Sequence, residues 1–213
     1  MKYLRFVLTM FILSCVTYTA PLNNPPSISN PLGWYRGTVV TFQGDVDFTL
    51  EERAKVEEAC QNWAAWTDKG ITCKVDWGHD FIANPFLGED GDYGIMRINH
   101  ANALDLFGDT VGERMLGVCQ TRYRASTGER TILIMLVDDM IRDFPNELEA
   151  YRMVAAHEFG HAFGFSHTCT GEAGNQCSRD VSINLMNPVY DPRITKGFGP
   201  MDSVECRRIG LCR

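Results

Sequence analysis

Residues 157–167 read HEFGHAFGFSH, and the spacing of their three histidines decides how the chain is read. His157 and His161 stand four apart inside a stretch whose apolar pattern predicts a helix from about Asn146 to Phe163, with Glu149 three residues after a capping Asn146. Four residues is close to one helical turn, so both imidazoles leave the same face and can reach one ion. Imidazole nitrogens at about 2.0–2.1 Å are ordinary zinc ligands, so this spacing suits zinc. Glu158 lies beside the metal rather than on it. There it can act as general base toward a water whose acidity the metal has raised. His167 is six residues beyond His161. On a continuing helix that is about 600° around and about 9 Å along the axis, which points the ring away. The helix must therefore stop and the chain turn back. Gly164 stands where a left-handed residue would do this without a Cβ penalty.

The 213 residues, with 45 % hydrophobic and 22 % charged, suit one globular domain with a sizeable core. A net charge of −7 gives no basic footprint, which excludes nucleic acid as a partner. Residues 1–20 carry Lys2 and Arg5, then an apolar run from Phe6 to Leu13, then small polar residues. That layout predicts a signal peptide, too short for a membrane span, and hence export. The alternatives are a buried N-terminal helix or retained anchor, and lipidation, since Ile12-Leu13-Ser14-Cys15 loosely resembles a lipobox that would anchor the chain at Cys15. The exported chain would then be secreted, or periplasmic or membrane-anchored if Cys15 is lipidated. No second stretch approaches membrane length, and the chain is read as a monomer. Eight cysteines in an exported protein point to disulfides. The sequence-local pairings are Cys60 with Cys73, Cys169 with Cys177 and Cys206 with Cys212, leaving Cys119 over.

Residues 21–33 (PLNNPPSISNPLG) read as an extended lead-in to a domain spanning 34–213. Strands are predicted at Thr38–Phe42, Ile71–Val75, Ile95–Ile98, Leu116–Gln120 and Thr131–Val137, the last buried on both faces. A helix starts at Thr49, where Glu52 completes a capping box, with Val56, Cys60, Trp63 and Ala64 on its apolar face and Gly70 as its stop. A short helix is expected near Ser203–Arg208. The pattern suggests one sheet backed by helices.

HExxHxxGxxH resembles the signature of the metzincin zinc peptidases. Asn184-Leu185-Met186-Asn187-Pro188-Val189-Tyr190 is similar to their Met-turn, in the form found in the matrixin branch. The resemblance implies an α+β zincin fold. In it a twisted, mostly parallel sheet with an antiparallel edge strand is backed by helices, one of which carries HExxH. It also implies that one catalytic Zn2+ sits on His157, His161 and His167 over an apolar floor at Met186. Pro188 and Tyr190 would wall the substrate pocket. Leu116–Gln120 resembles the family's edge strand, so Gly117 and Val118 would pair with an extended protein or peptide substrate. Some features depart from the family. His79 and His100 lack the spacing of its second, structural zinc site, and Cys169–Cys177 brackets an insertion before the Met-turn. The acidic cluster Glu89, Asp90 and Asp92 reads as a solvated loop, with Ca2+ binding as the alternative. The expected activity is zinc-dependent endopeptidase. The competing readings are a zinc-containing peptide-binding module without turnover, and a zinc hydrolase of a non-protein amide.

Overall fold

The computed structural model describes residues 37–67, 71–81, 92–107, 115–123, 130–167, 184–187 and 197–213. The expected signal peptide with Cys15, the lead-in, Glu89, Asp90, Cys169, Cys177, Pro188 and Tyr190 lie outside these residues. The described elements are β1 (Val39–Asp45), α1 (Leu50–Trp66), β2 (Thr72–His79), β3 (Tyr93–Ile98), α2 (His100–Phe107), β4 (Gly117–Tyr123), β5 (Arg130–Val137), α3 (Asp138–Arg142), α4 (Glu147–Ala162) and α5 (Pro200–Arg208).

The five strands form one sheet in the order β2-β1-β3-β5-β4. β1 runs parallel to β2 and β3, and β3 parallel to β5; β4 at the edge runs antiparallel to β5. This is a mixed α/β architecture with a mostly parallel sheet. β5 shows why its sequence reads as a continuous apolar run. Side chains alternate between faces along a strand. Ile132, Ile134 and Leu136 enter the main core with α1 and α4, whereas Met135 and Val137 join a smaller cluster with Ala103 of α2.

α1 and α4 pack closely on the main face because α4 presents Ala155, Ala156 and Gly160. The Trp63 indole of α1 fills the space and donates its N–H to the Ala156 carbonyl at 2.9 Å, one residue before His157. The Thr49/Glu52 capping box forms, with Glu52 Oε2 accepting from Thr49 N at 2.8 Å. Asn146 caps α4, its side chain accepting from Glu149 N at 3.3 Å. The disulfide Cys60–Cys73 ties α1 to β2, and Cys206–Cys212 closes the end of α5.

Several boundaries differ from the sequence expectation. α1 ends at Trp66, with Thr67 as its C-cap, rather than running to Gly70. Its buried face includes Ala59, while Ala64 is only half-buried. α5 starts three residues earlier, at Pro200. α2 and α3 occupy stretches to which the sequence reading assigned no element. Among the described residues no helix is long and apolar enough to cross a membrane.

Candidate metal centre

α4 carries His157 and His161 one turn apart at its C-terminal end. The helix then stops as the spacing demands. Phe163 N and Gly164 N close the last turn on the carbonyls of Phe159 and His161, and Gly164 takes φ 95°. Phe165 N then returns to the Gly160 carbonyl at 2.9 Å. The buried Phe165 ring lies 4.7 Å from that of Trp63. This reversal brings His167 back over the helix.

The three Nε2 atoms form a nearly equilateral triangle. His157 to His161 is 3.1 Å, His161 to His167 3.0 Å and His157 to His167 3.2 Å. Two of the other ring nitrogens are already committed. His157 Nδ1 lies 2.8 Å from the Leu185 carbonyl and His161 Nδ1 2.9 Å from the Phe165 carbonyl. A carbonyl only accepts, so each Nδ1 carries the proton and each Nε2 presents a lone pair. The lone pairs of His157 and His161 thus converge 3.1 Å apart, an arrangement that a bound cation would satisfy. Tetrahedral zinc with bonds of about 2.0–2.1 Å sets its nitrogen ligands about 3.3–3.4 Å apart, so the triangle fits within a few tenths of an ångström. These three residues could hold a metal ion, and no other such group occurs among the described residues. His79, at the end of β2, and His100, at the start of α2, belong to no such group.

Burial pulls the His161 imidazole down to about 4, with the neighbouring His167 charge adding to it and the Phe165 carbonyl opposing. The ring is thus neutral near pH 7, as a metal ligand must be. Burial also pushes the Glu158 carboxyl up to about 8. Its side chain lies under the edge strand. A Cβ built on Gly117 would stand 2.9 Å from Glu158 Oε1 and 2.8 Å from Val154 Cγ1. The two expected edge-strand residues, Gly117 and Val118, do open the edge strand β4, opposite Leu136 and Met135. Gly117 thus has a second role: its missing side chain leaves room for Glu158.

Met186 is fully buried beneath the α4 helix. Its sulfur packs so close to Gly160 that any Cβ there would collide with it. Gly160 is therefore required by the packing of Met186, a role the sequence reading did not assign. Asp202 escaped notice as well. This buried carboxylate accepts Leu185 N at 2.8 Å, Met186 N at 3.1 Å and Gly199 N at 2.8 Å. It fixes the turn whose Leu185 carbonyl orients His157. The one local signal was an acidic residue in the first turn of a helix that begins with proline, which announces a cap but not a contact sixteen residues back.

No protein-family model and no curated protein matches the chain. Among solved structures the chain is similar to one described as "Structure of myroilysin", at 20 % identity and a TM-score of 0.34. The match covers 63 % of this chain and 52 % of that one, so the chain spans about half its length.

Proposed function

We propose that this chain is an exported zinc-dependent endopeptidase of the metzincin type. The observation that carries the reading is the triangle of three Nε2 atoms, 3.0–3.2 Å apart, with the buried Glu158 on the same helix. Zinc held there would supply a Lewis acid for a peptide carbonyl and a means of activating water near neutral pH. Glu158 takes the proton released as the water oxygen bonds to the carbonyl carbon. It returns that proton to the amine nitrogen as the C–N bond breaks. A nearby dication draws its carboxyl back down from about 8, so that it can accept a proton near neutral pH. The edge of β4, which no other strand among the described residues pairs, offers backbone groups at Gly117 and Val118 to an extended peptide. Pro188 and Tyr190 complete the pocket in this reading on the strength of the motif alone. Export follows from residues 1–20 and agrees with two disulfides, which persist in oxidising compartments.

The test compares the purified chain with Glu158→Ala on denatured protein, with and without chelator, while bound zinc is assayed. The parent should hold one zinc and cut. The variant should hold zinc and lose activity by about 100-fold or more. A parent that holds zinc but cuts no substrate would favour the binding-module reading. A parent that holds none would end the metal assignment.

A further inference from the structure

The third nitrogen of the triangle has a different origin from the other two. His157 and His161 take their positions from the rigid α4 helix. His167 is exposed and lies on the segment beyond the helix end. A ligand on such a segment weakens binding unless something restrains the backbone before metal arrives. Phe165 supplies one anchor, through its ring on Trp63 and its backbone bonds to Gly160 and His161. Ser166, the residue directly before His167, is anchored from elsewhere. Its N–H donates to Glu205 Oε1 of α5 at 3.3 Å.

Glu205 is well placed to serve as that fixed acceptor. Its side chain is only 16 % exposed. Arg208 grips both of its oxygens at 2.6 Å, so the carboxylate cannot swing to solvent without breaking two charge-assisted bonds. The helix end behind it is fastened too. Leu211 N and Cys212 N donate to the Cys206 carbonyl at 2.9 and 3.2 Å, and the disulfide Cys206–Cys212 closes that turn. The same helix holds the His157 side of the site through Asp202.

We infer that Glu205 is a positioning residue for the third metal ligand. Held by Arg208 on the disulfide-closed α5, it fixes Ser166 so that His167 Nε2 stands ready beside the other two nitrogens. This rests on reading the histidine triangle as a metal site. Partners that hydrogen-bond a ligand's own side chain change metal affinity by about 10–100-fold when removed, and a partner one residue away should act at the low end of that range.

The test uses the purified parent chain, Glu205→Ala and Glu205→Gln. Zinc affinity is measured by competition with a chromophoric chelator, ligand geometry by the visible spectrum of the cobalt-loaded protein, and fold by the melting midpoint of the chelated protein. Glu205→Ala should bind zinc about 10-fold more weakly and alter the cobalt spectrum, with a chelated midpoint within about 2 °C of the parent. Glu205→Gln keeps an oxygen for Ser166 N–H and should recover most of both. Parental affinity and spectrum in Glu205→Ala would overturn the proposal. So would loss of affinity in both variants in step with loss of the chelated fold, which would make Glu205 a residue of the fold alone. If the parent binds neither zinc nor cobalt, the metal reading of the triangle fails first and takes this proposal with it.

Discussion

Glu158 and His161 face the same problem, burial of a titratable group, and answer it in opposite directions. Burial pushes the Glu158 carboxyl up to about 8 and pulls His161 down to about 4. For the metal-free protein the signs follow from proton binding in each state. Glu158 holds its proton in the folded state and releases it when unfolded, so its contribution is full below about 4.5 and is lost as pH rises through about 8. His161 is neutral when folded and charged when unfolded, so its contribution is full above about 6.5 and is lost as pH falls toward about 4. Between about 4.5 and 6.5 the two slopes oppose each other. From about 6.5 to 8 Glu158 acts alone, and the chelated protein should lose about 2 kcal/mol over that interval. Melting of the chelated parent and of Glu158→Gln at several pH values checks this, since the variant should lack that fall. Zinc should remove the slope from the parent as well, because a dication favours the carboxylate. Gly117 makes a second residue-scale prediction. Gly117→Ala places a methyl 2.9 Å from Glu158 Oε1, so either the base or the edge strand must shift. Turnover should fall at least 10-fold while zinc affinity stays parental, because no histidine contact changes. Peptide hydrolysis rates and a chelator competition on the same preparation separate the two quantities.

At the scale of elements, α5 matters more to the site than its distance in sequence suggests. Asp202 accepts three backbone N–H groups, the two buried ones from the turn that carries Met186. Asp202→Ala would leave the two buried ones unsatisfied, at a cost of about 3 kcal/mol, and would loosen the Leu185 carbonyl that orients His157. Chemical denaturation should show that loss. Zinc affinity should fall with it, whereas Asp202→Asn, which keeps an oxygen, should lose less of both. The contrast with what the sequence revealed is physical. The caps at Thr49 and Asn146 were legible because each bond spans three residues. The turn at Gly164 was legible because six residues between His161 and His167 admit no straight helix. Asp202 and Glu205 act across 16 to 39 residues, and no local pattern encodes such a reach. α3 was missed because five residues are too few to show a period, and it follows β5 without a break. α2 did carry a cap, Asn99 accepting from Asn102 N at 2.8 Å, but its eight residues make little more than two turns over which a period could show. Glu52 was read as a cap alone, yet its carboxylate also meets Arg97 and Arg142, each at 3.2 Å.

Across the whole molecule, α4 joins two polar centres. Near its N-terminal end Tyr151 donates to Asp138, which pairs with Arg97 at 2.6 Å and Arg142 at 2.9 Å, while Glu52 faces both arginines. At its C-terminal end stand the histidines. Between them the helix is buried against α1 and β5 by side chains that need no metal, among them Trp63, Phe159 and Ile134. The core, the ion cluster and the disulfide Cys60–Cys73 are all complete without the triangle. A metal held by the triangle would therefore be a ligand of a folded protein, not the nucleus of the fold, unlike a zinc finger. A ligand that binds only the folded state stabilises by mass action, about 4 kcal/mol at free metal a thousandfold above Kd. For a chain of this size that corresponds to roughly 8–16 °C in melting midpoint. The chelated protein should keep its secondary structure and melt cooperatively, and added zinc should raise the midpoint by that amount. His161→Ala, tested alongside, should melt at the same temperature with and without zinc. Unfolding of the parent on chelation would show instead that metal and fold form together, and a zinc-induced rise in the His161→Ala midpoint would place the metal elsewhere on the molecule.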